Sequence, residues 1–257
     1  MIPFNHADGE HLEVEGARIY FEIQGDPKAT PLVFLHGGFG SIEDFSQIIP
    51  LLDQPYRLIG IDSRGQGKST LGSSSLTYSR MQHDVETVLR HLGITQTNFI
   101  GHSDGGIVGL RLAAAHVIEI PKLVTIGSHW RLTEDDPARP LFAGITAENW
   151  KSMFPESYNT YQRLNPEPDF PMLTREIVRL WLDTSSGGYP AEEIRNITSD
   201  LMVVRGDEDI LITRQHAMEL ADMISGACLL NVPFSSHVIH QEKPELLMDS
   251  INEFLNR

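Results

Sequence analysis

Six short apolar runs punctuate this chain: "PLVFLH" (31–36), "RLIGID" (57–62), "TNFIGH" (97–102), "KLVTIG" (122–127), "LMVVRG" (201–206) and "CLLNVP" (228–233). None alternates polar with apolar residues, so each reads as a strand buried on both faces. Helical spacing fills the intervals. Tyr78, Met81, Val85, Leu89 and Leu92 recur on one face; so do Ala217, Leu220, Ala221 and Ile224 after the N-cap candidate Thr213, and Leu247, Ile251, Phe254 and Leu255 after Pro244. Strands buried on both faces and alternating with amphipathic helices make a parallel sheet covered by helices. Ahead of them, "HLEVEGARIYFEIQG" alternates about Glu15-Gly16 and predicts an antiparallel hairpin at a sheet edge. The expected fold is α/β, a mostly parallel, doubly wound sheet of about eight strands.

One region breaks the rhythm. From Trp130 to Arg195 no buried strand appears, and all three tryptophans (Trp130, Trp150, Trp181) fall there with Phe142, Phe154, Tyr158, Tyr161, Phe170 and Tyr189. It reads as a helical insertion, giving three segments: a core part at 1–129, a cap at 130–195 and a second core part at 196–257. Most of its aromatics are expected to form a satellite core rather than to touch a ligand.

Composition narrows the function. A formal charge of -15 repels nucleic-acid phosphates and anionic membranes alike, so neither is expected as a partner. The lone cysteine, Cys228, allows no internal disulfide and no cysteine-rich metal site; within a strand run it reads as core filling. "MIPFNHADGEHLEVEG" has neither a basic start nor a long apolar core, and no run approaches the ~20 apolar residues of a membrane span, so the expectation is a cytoplasmic protein. No cofactor or metal is implied, the expected partner is a small-molecule substrate, and the oligomeric state is left open.

"NFIGHSDGGIVGL" (98–110) carries the chemistry. It sets Ser103 at the junction of a buried strand and a helix, among glycines that allow a tight, strained turn. Such a turn exposes the serine hydroxyl and aims the N–H of Asp104 at any oxyanion formed nearby. Alternatively, Ser103 or Asp104 serves only as an N-cap. A nucleophilic serine needs a base and an orienting acid. Asp207, Glu208 and Asp209 follow one strand, and His237 and His240 follow the next, so both groups reach the carboxyl edge where open α/β sheets bind ligands.

Together these stretches resemble the α/β-hydrolase family over nearly the whole length. "FLHGGFG" is similar to its H-G-x loop, "IDSRGQGKS" to its D-x-R-G-x-G-x-S loop, "GHSDGG" to its nucleophile turn, "GDED" to its G-x-x-D acid turn, and "SSHVIHQEKPE" to its histidine loop. The resemblance implies Ser103 as nucleophile, Asp209 as acid with Asp207 as runner-up, and His237 as base with His240 as packing. It also implies oxyanion N–H groups at Gly38 and Asp104, with Phe39 the fallback for Gly38. The insertion is implied to be a lid, and Phe39, Trp130 and the lid aromatics, with His129 at the rim, are expected to line an apolar pocket. The Asp104 side chain stays unassigned, because many relatives carry an apolar residue there.

The implied function is a serine hydrolase cleaving small esters or lactones through an acyl-serine. A C–C bond hydrolase of ring-cleavage products is the near alternative, with Arg131 or Arg139 to hold a dienoate carboxylate; a small-molecule receptor of the same fold is the alternative of another class. "RGQGKST" imitates a phosphate loop, yet the position of the first glycine is Asp62, an anion where phosphate would approach. Arg64 in that loop is expected to pair locally rather than to touch substrate.

Overall fold

The computed structural model describes all 257 residues, Met1–Arg257. The chain opens with the expected hairpin, β1 (Glu10–Val14) and β2 (Ala17–Gly25). Its turn residues Glu15 and Gly16 have φ of 45° and 76°, the left-handed pair that matches strand twist in a two-residue turn. Six strands then run parallel: β3 (Pro31–Leu35), β4 (Arg57–Ile61), β5 (Asn98–His102), β6 (Lys122–Ile126), β7 (Asp200–Gly206) and β8 (Cys228–Val232). Helix α1 (Tyr78–His91) precedes β5 and α2 (Asp104–Ala115) follows it. Four helices stand between β6 and β7: α3 (Ala138–Ala143), α4 (Ala147–Met153), α5 (Pro155–Leu164) and α6 (Phe170–Leu182). Helix α7 (Arg214–Met223) joins β7 to β8, and α8 (Ile239–Glu242) and α9 (Pro244–Asn256) end the chain. No helix is long and apolar enough to cross a membrane.

The sheet order is β1-β2-β4-β3-β5-β6-β7-β8, with β2 antiparallel to β4. From β3 the chain steps outward to β4, then crosses back to β5 on the other side of β3. The carboxyl ends of β3 and β5 therefore flank the reversal of strand order, the crevice where sheets of this kind take ligands.

Both faces of the central strands are buried, which is why their sequences run apolar without alternation. Val33, Leu35, Ile59, Phe99, Leu123, Leu201 and Val203 face one core with α1 and α2; Leu32, Phe34, Leu58, Ile100, Val124, Met202 and Val204 face the other with α9. Strand β8 departs from its expected burial. It lies at the sheet edge, where Leu229 is 42% exposed and of its five residues only Val232 is buried. An apolar run does not reveal whether a strand is central or terminal. Thr213, the expected N-cap, accepts from His216 N–H, and Thr77 caps α1 in the same way by accepting from Arg80 N–H.

Two buried polar groups tie the loops to this frame. The Arg64 guanidinium is fully buried; it donates to Asp84 of α1 at 2.8 Å and to the Val14 carbonyl at 3.0 Å, a structural pairing with a partner 20 residues away. The N-terminal segment is pinned by Phe4, which packs on Phe34, and by His6. One ring nitrogen of His6 meets Glu43 at 2.7 Å and the other meets Asp62 at 2.8 Å. The ring also stacks on Tyr20, and Glu22 accepts the His6 N–H. Burial disfavours the charged ring, but the two carboxylates outweigh it and raise the His6 pKa above 6.5.

A raised folded pKa means that this contribution is complete below the unfolded value and fades as pH climbs through the folded one. Urea unfolding followed from about pH 5.5 to 8.5 should therefore show wild-type stability falling above the ordinary histidine pKa. His6→Gln should lack that component and lose about 3 kcal/mol at the acidic end, since it removes the charged partner of the buried Asp62 and leaves it only the Ile42 and Lys68 N–H donors. An unchanged pH dependence in the variant would count against the charged His6 bridge.

Candidate active site

Close packing of backbone shapes the turn after β5. A methyl on Gly105 would lie 2.1 Å from the Leu35 carbonyl oxygen, one on Gly101 would lie 2.5 Å from the Gly105 carbonyl carbon, and one on Gly106 would lie 1.9 Å from Ser128 Oγ. Only glycine lets α2 approach β3 and β5 this closely. The same closeness forces Ser103 to φ 50° and ψ −117°, a conformation that a side chain rarely adopts. Ser103 occupies the N-cap position of α2, yet its hydroxyl caps no backbone N–H. The capping alternative therefore has no support, and the hydroxyl is left partly exposed.

The acid and histidine loops meet at the carboxyl ends of β7 and β8. Backbone bonds from Asp207 N–H to the Val232 carbonyl and from Glu208 N–H to the Ser235 carbonyl knit them together. Asp209 Oδ1 accepts the N–H groups of Leu211 and Ile212, and Oδ2 lies 2.9 Å from His237 Nδ1. Burial works against the Asp209 charge, but the hydrogen bond from His237, the attraction of that ring and the two backbone donors hold the carboxyl below its ordinary pKa. With Nδ1–H donated to Asp209, His237 Nε2 is left for chemistry. Asp207 faces elsewhere, bound to Arg214 and Asn231.

Neighbouring contacts bring this pair to Ser103. The Ser103 N–H donates to the Ile126 carbonyl, and the next residue, Gly127, has φ 61° and an α-carbon facing the His237 ring. His102 Nε2 donates to the His237 carbonyl at 3.0 Å, and the two rings are 5.0 Å apart. No hydrogen bond joins Ser103 Oγ to His237 in this structure; such contacts commonly tighten only when substrate binds. His240 is fully buried between Phe45 and His102, and burial, reinforced by His237, lowers its pKa to about 3.

The loop after β3 completes the crevice. His36 Nε2 accepts the Ser63 N–H and its Nδ1–H donates to the Gly37 carbonyl, fixing the loop between β3 and β4. Gly37 stands against Ser103: a methyl there would lie 3.0 Å from Ser103 Cβ. The Gly38 N–H finds no acceptor within the protein, and Asp104, as the first residue of α2, has no intrahelical acceptor for its own. Phe39 adopts φ 60°, its ring 4.1 Å from Trp150 and 5.7 Å from Trp181; its carbonyl accepts from Ser157 Oγ of α5.

Trp130 and His129 fall differently from expectation. The Trp130 ring lies beneath the Arg131 guanidinium and near His216, whose Nε2 accepts the Trp130 N–H, and no aromatic contact joins it to Phe39. His129 is buried against Phe142, Tyr189 and His216 rather than at an open rim. Burial, with His129 beside it, lowers the His216 pKa to about 3. Two residues that the sequence did not single out stand within the site. Gly127 packs under His237, a position hinted at only by a glycine directly after a buried strand. Trp181 lies over Gly38 and Asp104, hidden in the sequence among the other aromatics of the insertion.

A family model described as the alpha/beta hydrolase fold matches residues 30–185. The chain belongs to the α/β-hydrolase family. A putative esterase/lipase of Haemophilus influenzae is 26% identical over 277 aligned positions that cover 99% of this chain and 95% of that protein. An sn-1-specific diacylglycerol lipase (ABHD11) of Danio rerio is 30% identical across 91% of this chain and 80% of its own length. Among solved structures, a meta-cleavage product hydrolase from Pseudomonas fluorescens superposes with a TM-score of 0.80 over 96% of this chain and 97% of that one, at 17% identity. The protein is a hydrolase of this family.

Gly127→Ala should displace His237, because its methyl would stand 3.0 Å from the ring. Gly93→Ala is the control: φ there is 68° with nothing within 4 Å, so both variants carry a left-handed alanine worth about 1–2 kcal/mol. The low-field proton resonance of a carboxylate-bound imidazole N–H should persist in Gly93→Ala and shift or vanish in Gly127→Ala. Equal spectra for the two would argue that Gly127 does not set the ring.

Proposed function

We propose that this hydrolase cleaves small carboxylic esters or lactones through an acyl-serine intermediate. The observation that carries the reading is a strained, uncapped serine hydroxyl at the strand-order reversal, on the sheet edge that also carries a histidine oriented by a buried carboxylate. His237 Nε2 takes the proton from Ser103 Oγ as Oγ attacks the substrate carbonyl carbon. The carbonyl oxygen, now an anion, accepts from the Gly38 and Asp104 N–H groups. The tetrahedral species then collapses, the carbon–oxygen bond to the alcohol breaks, and His237 returns its proton to the departing oxygen. Water, deprotonated by His237, attacks the acyl-serine and releases the acid and the free serine. Asp209 keeps its charge throughout, holding the ring and balancing the imidazolium.

The helices of 130–195 serve in this reading as a lid whose aromatic rings keep water from the acyl-enzyme. The esterase and lipase relatives support ester chemistry. Ring-cleavage C–C hydrolysis shares the triad, but of the two arginines offered above for a dienoate carboxylate Arg131 is committed to Glu219 and to Trp130, which leaves only Arg139 for that reading. The overall charge and the cysteine content favour a cytoplasmic enzyme acting on a small soluble substrate.

Short-chain nitrophenyl esters and a fluorophosphonate test the reading together. Ser103→Ala should lower kcat by at least about a thousandfold and abolish covalent labelling, and Asp209→Ala should approach that loss. Asp207→Ala should stay within about threefold of wild type, as expected for a half-buried carboxylate bound to Arg214 and Asn231 rather than to His237. Serine-independent turnover, or an Asp207 effect larger than that of Asp209, would overturn the assignment. A panel of esters, lactones and vinylogous diketones then sorts oxygen-ester from C–C cleavage.

A further inference from the structure

Trp181 is held more firmly than a pocket-lining aromatic requires. Its Nε1–H reaches both carboxylate oxygens of Asp104, at 2.9 and 3.1 Å. Its backbone carbonyl accepts from the buried Tyr189 hydroxyl at 2.7 Å. Its ring packs on Phe142 at 5.0 Å and edge-on against Phe39 at 5.7 Å. Asp104 is fixed in turn by the Tyr78 hydroxyl, which donates to Oδ1 at 2.7 Å. The ring presses directly on the loop after β3: a methyl on Gly38 would lie 2.7 Å from Trp181 Cζ2 and 2.9 Å from Asp104 Oδ2.

This placement has a stereochemical consequence. In the tetrahedral species the carbonyl oxygen must point to the Gly38 and Asp104 N–H groups, and the departing oxygen must face His237. The acyl substituent takes the remaining direction, along the wall built from Gly38 and the indole. We propose that Trp181, tethered by the Asp104 carboxylate, closes the acyl side of the site and restricts the enzyme to short acyl groups. The inference rests on the serine-hydrolase reading above and adds the substrate class to it. Asp104 then has two separable functions: its N–H faces the oxyanion, while its carboxylate positions the tryptophan that limits acyl length. The carboxylate itself is enclosed by its protein donors.

The test compares kcat/KM for nitrophenyl acetate, butyrate and octanoate. The ratio of two substrates on one preparation does not depend on how much of it is active. Wild type should favour acetate over octanoate by about tenfold or more, and Trp181→Ala should raise the octanoate-to-acetate ratio by about tenfold, the scale on which hydrophobic pockets discriminate chain length. Trp181→Leu should move the ratio the same way and supplies the measurement if the alanine variant does not fold. Asp104→Ala, which keeps the backbone N–H and frees the indole, should shift it in the same direction by less. A series varied only in the alcohol should keep its order in all three variants.

Equal wild-type turnover of acetate and octanoate overturns the proposal without any variant. So does an unmoved ratio in a Trp181 variant whose Ser103 still reacts with the fluorophosphonate, and that outcome leaves the serine-hydrolase reading standing. Absence of Ser103-dependent turnover for every ester, with no labelling, sinks both.

Discussion

The site depends on the room that missing side chains leave between α2 and the sheet. Gly101, Gly105 and Gly106 let the backbone of the turn touch β3 and the Ser128 hydroxyl at distances no β-carbon tolerates. That approach is what drives Ser103 into its strained conformation, because a relaxed turn would lift the helix away from the strands. The strain is sustained by the buried apolar faces of α2, where Ile107, Val108, Leu110 and Leu112 are enclosed in the core. Steric fit, rather than any hydrogen bond of the serine, holds its oxygen in place.

The surrounding histidines show how burial sorts one residue type into different tasks. His102 and His240 are enclosed without a carboxylate, so burial, reinforced by neighbouring imidazoles, lowers both pKa values and keeps the rings neutral. A neutral His102 donates to the His237 carbonyl through Nε2 without adding positive charge beside that ring. His6 lies between two carboxylates and goes the opposite way. His237 alone among these combines a carboxylate on one nitrogen with an unoccupied second nitrogen.

Much of this was legible in the sequence because local rules carry it. Apolar runs of strand length, the Thr213 cap and the strand-to-helix glycines are short-range signals, and they place Ser103, Asp209 and His237 at one sheet edge. Choosing Asp209 over Asp207 needed the family resemblance, and the structure separates them by partner: His237 for one, Arg214 and Asn231 for the other. Contacts across long stretches of chain left no local trace. Trp181 and Asp104 are 77 residues apart, and an aromatic-rich insertion gives no periodic clue to which ring faces the site. Trp130, expected in the pocket, is instead packed toward Arg131 and toward His216, 86 residues away. Edge strand β8 misled because an apolar run encodes hydrophobicity, and sheet position depends on partners elsewhere in the chain.

Asp104 shows how the strained turn and the inserted helices constrain each other. A carboxylate in the first turn of α2 is favoured by the helix dipole, yet full burial raises its pKa even though Tyr78 and Trp181 donate to it. Such a group is stable only while both donors stay in place, since an unpaired buried carboxylate is costly. Moving α6 away from the core would strip the Trp181 bond from Asp104 and remove the ring from Gly38 in the same step. Helix α6 therefore cannot shift at this point without disturbing both the loop after β3 and the turn that holds Ser103. A wholly apolar contact would tolerate sliding, whereas a two-donor carboxylate accepts one geometry. The aspartate thus fixes the register between a rigid turn and the helices above it, and the space left for substrate follows from that register.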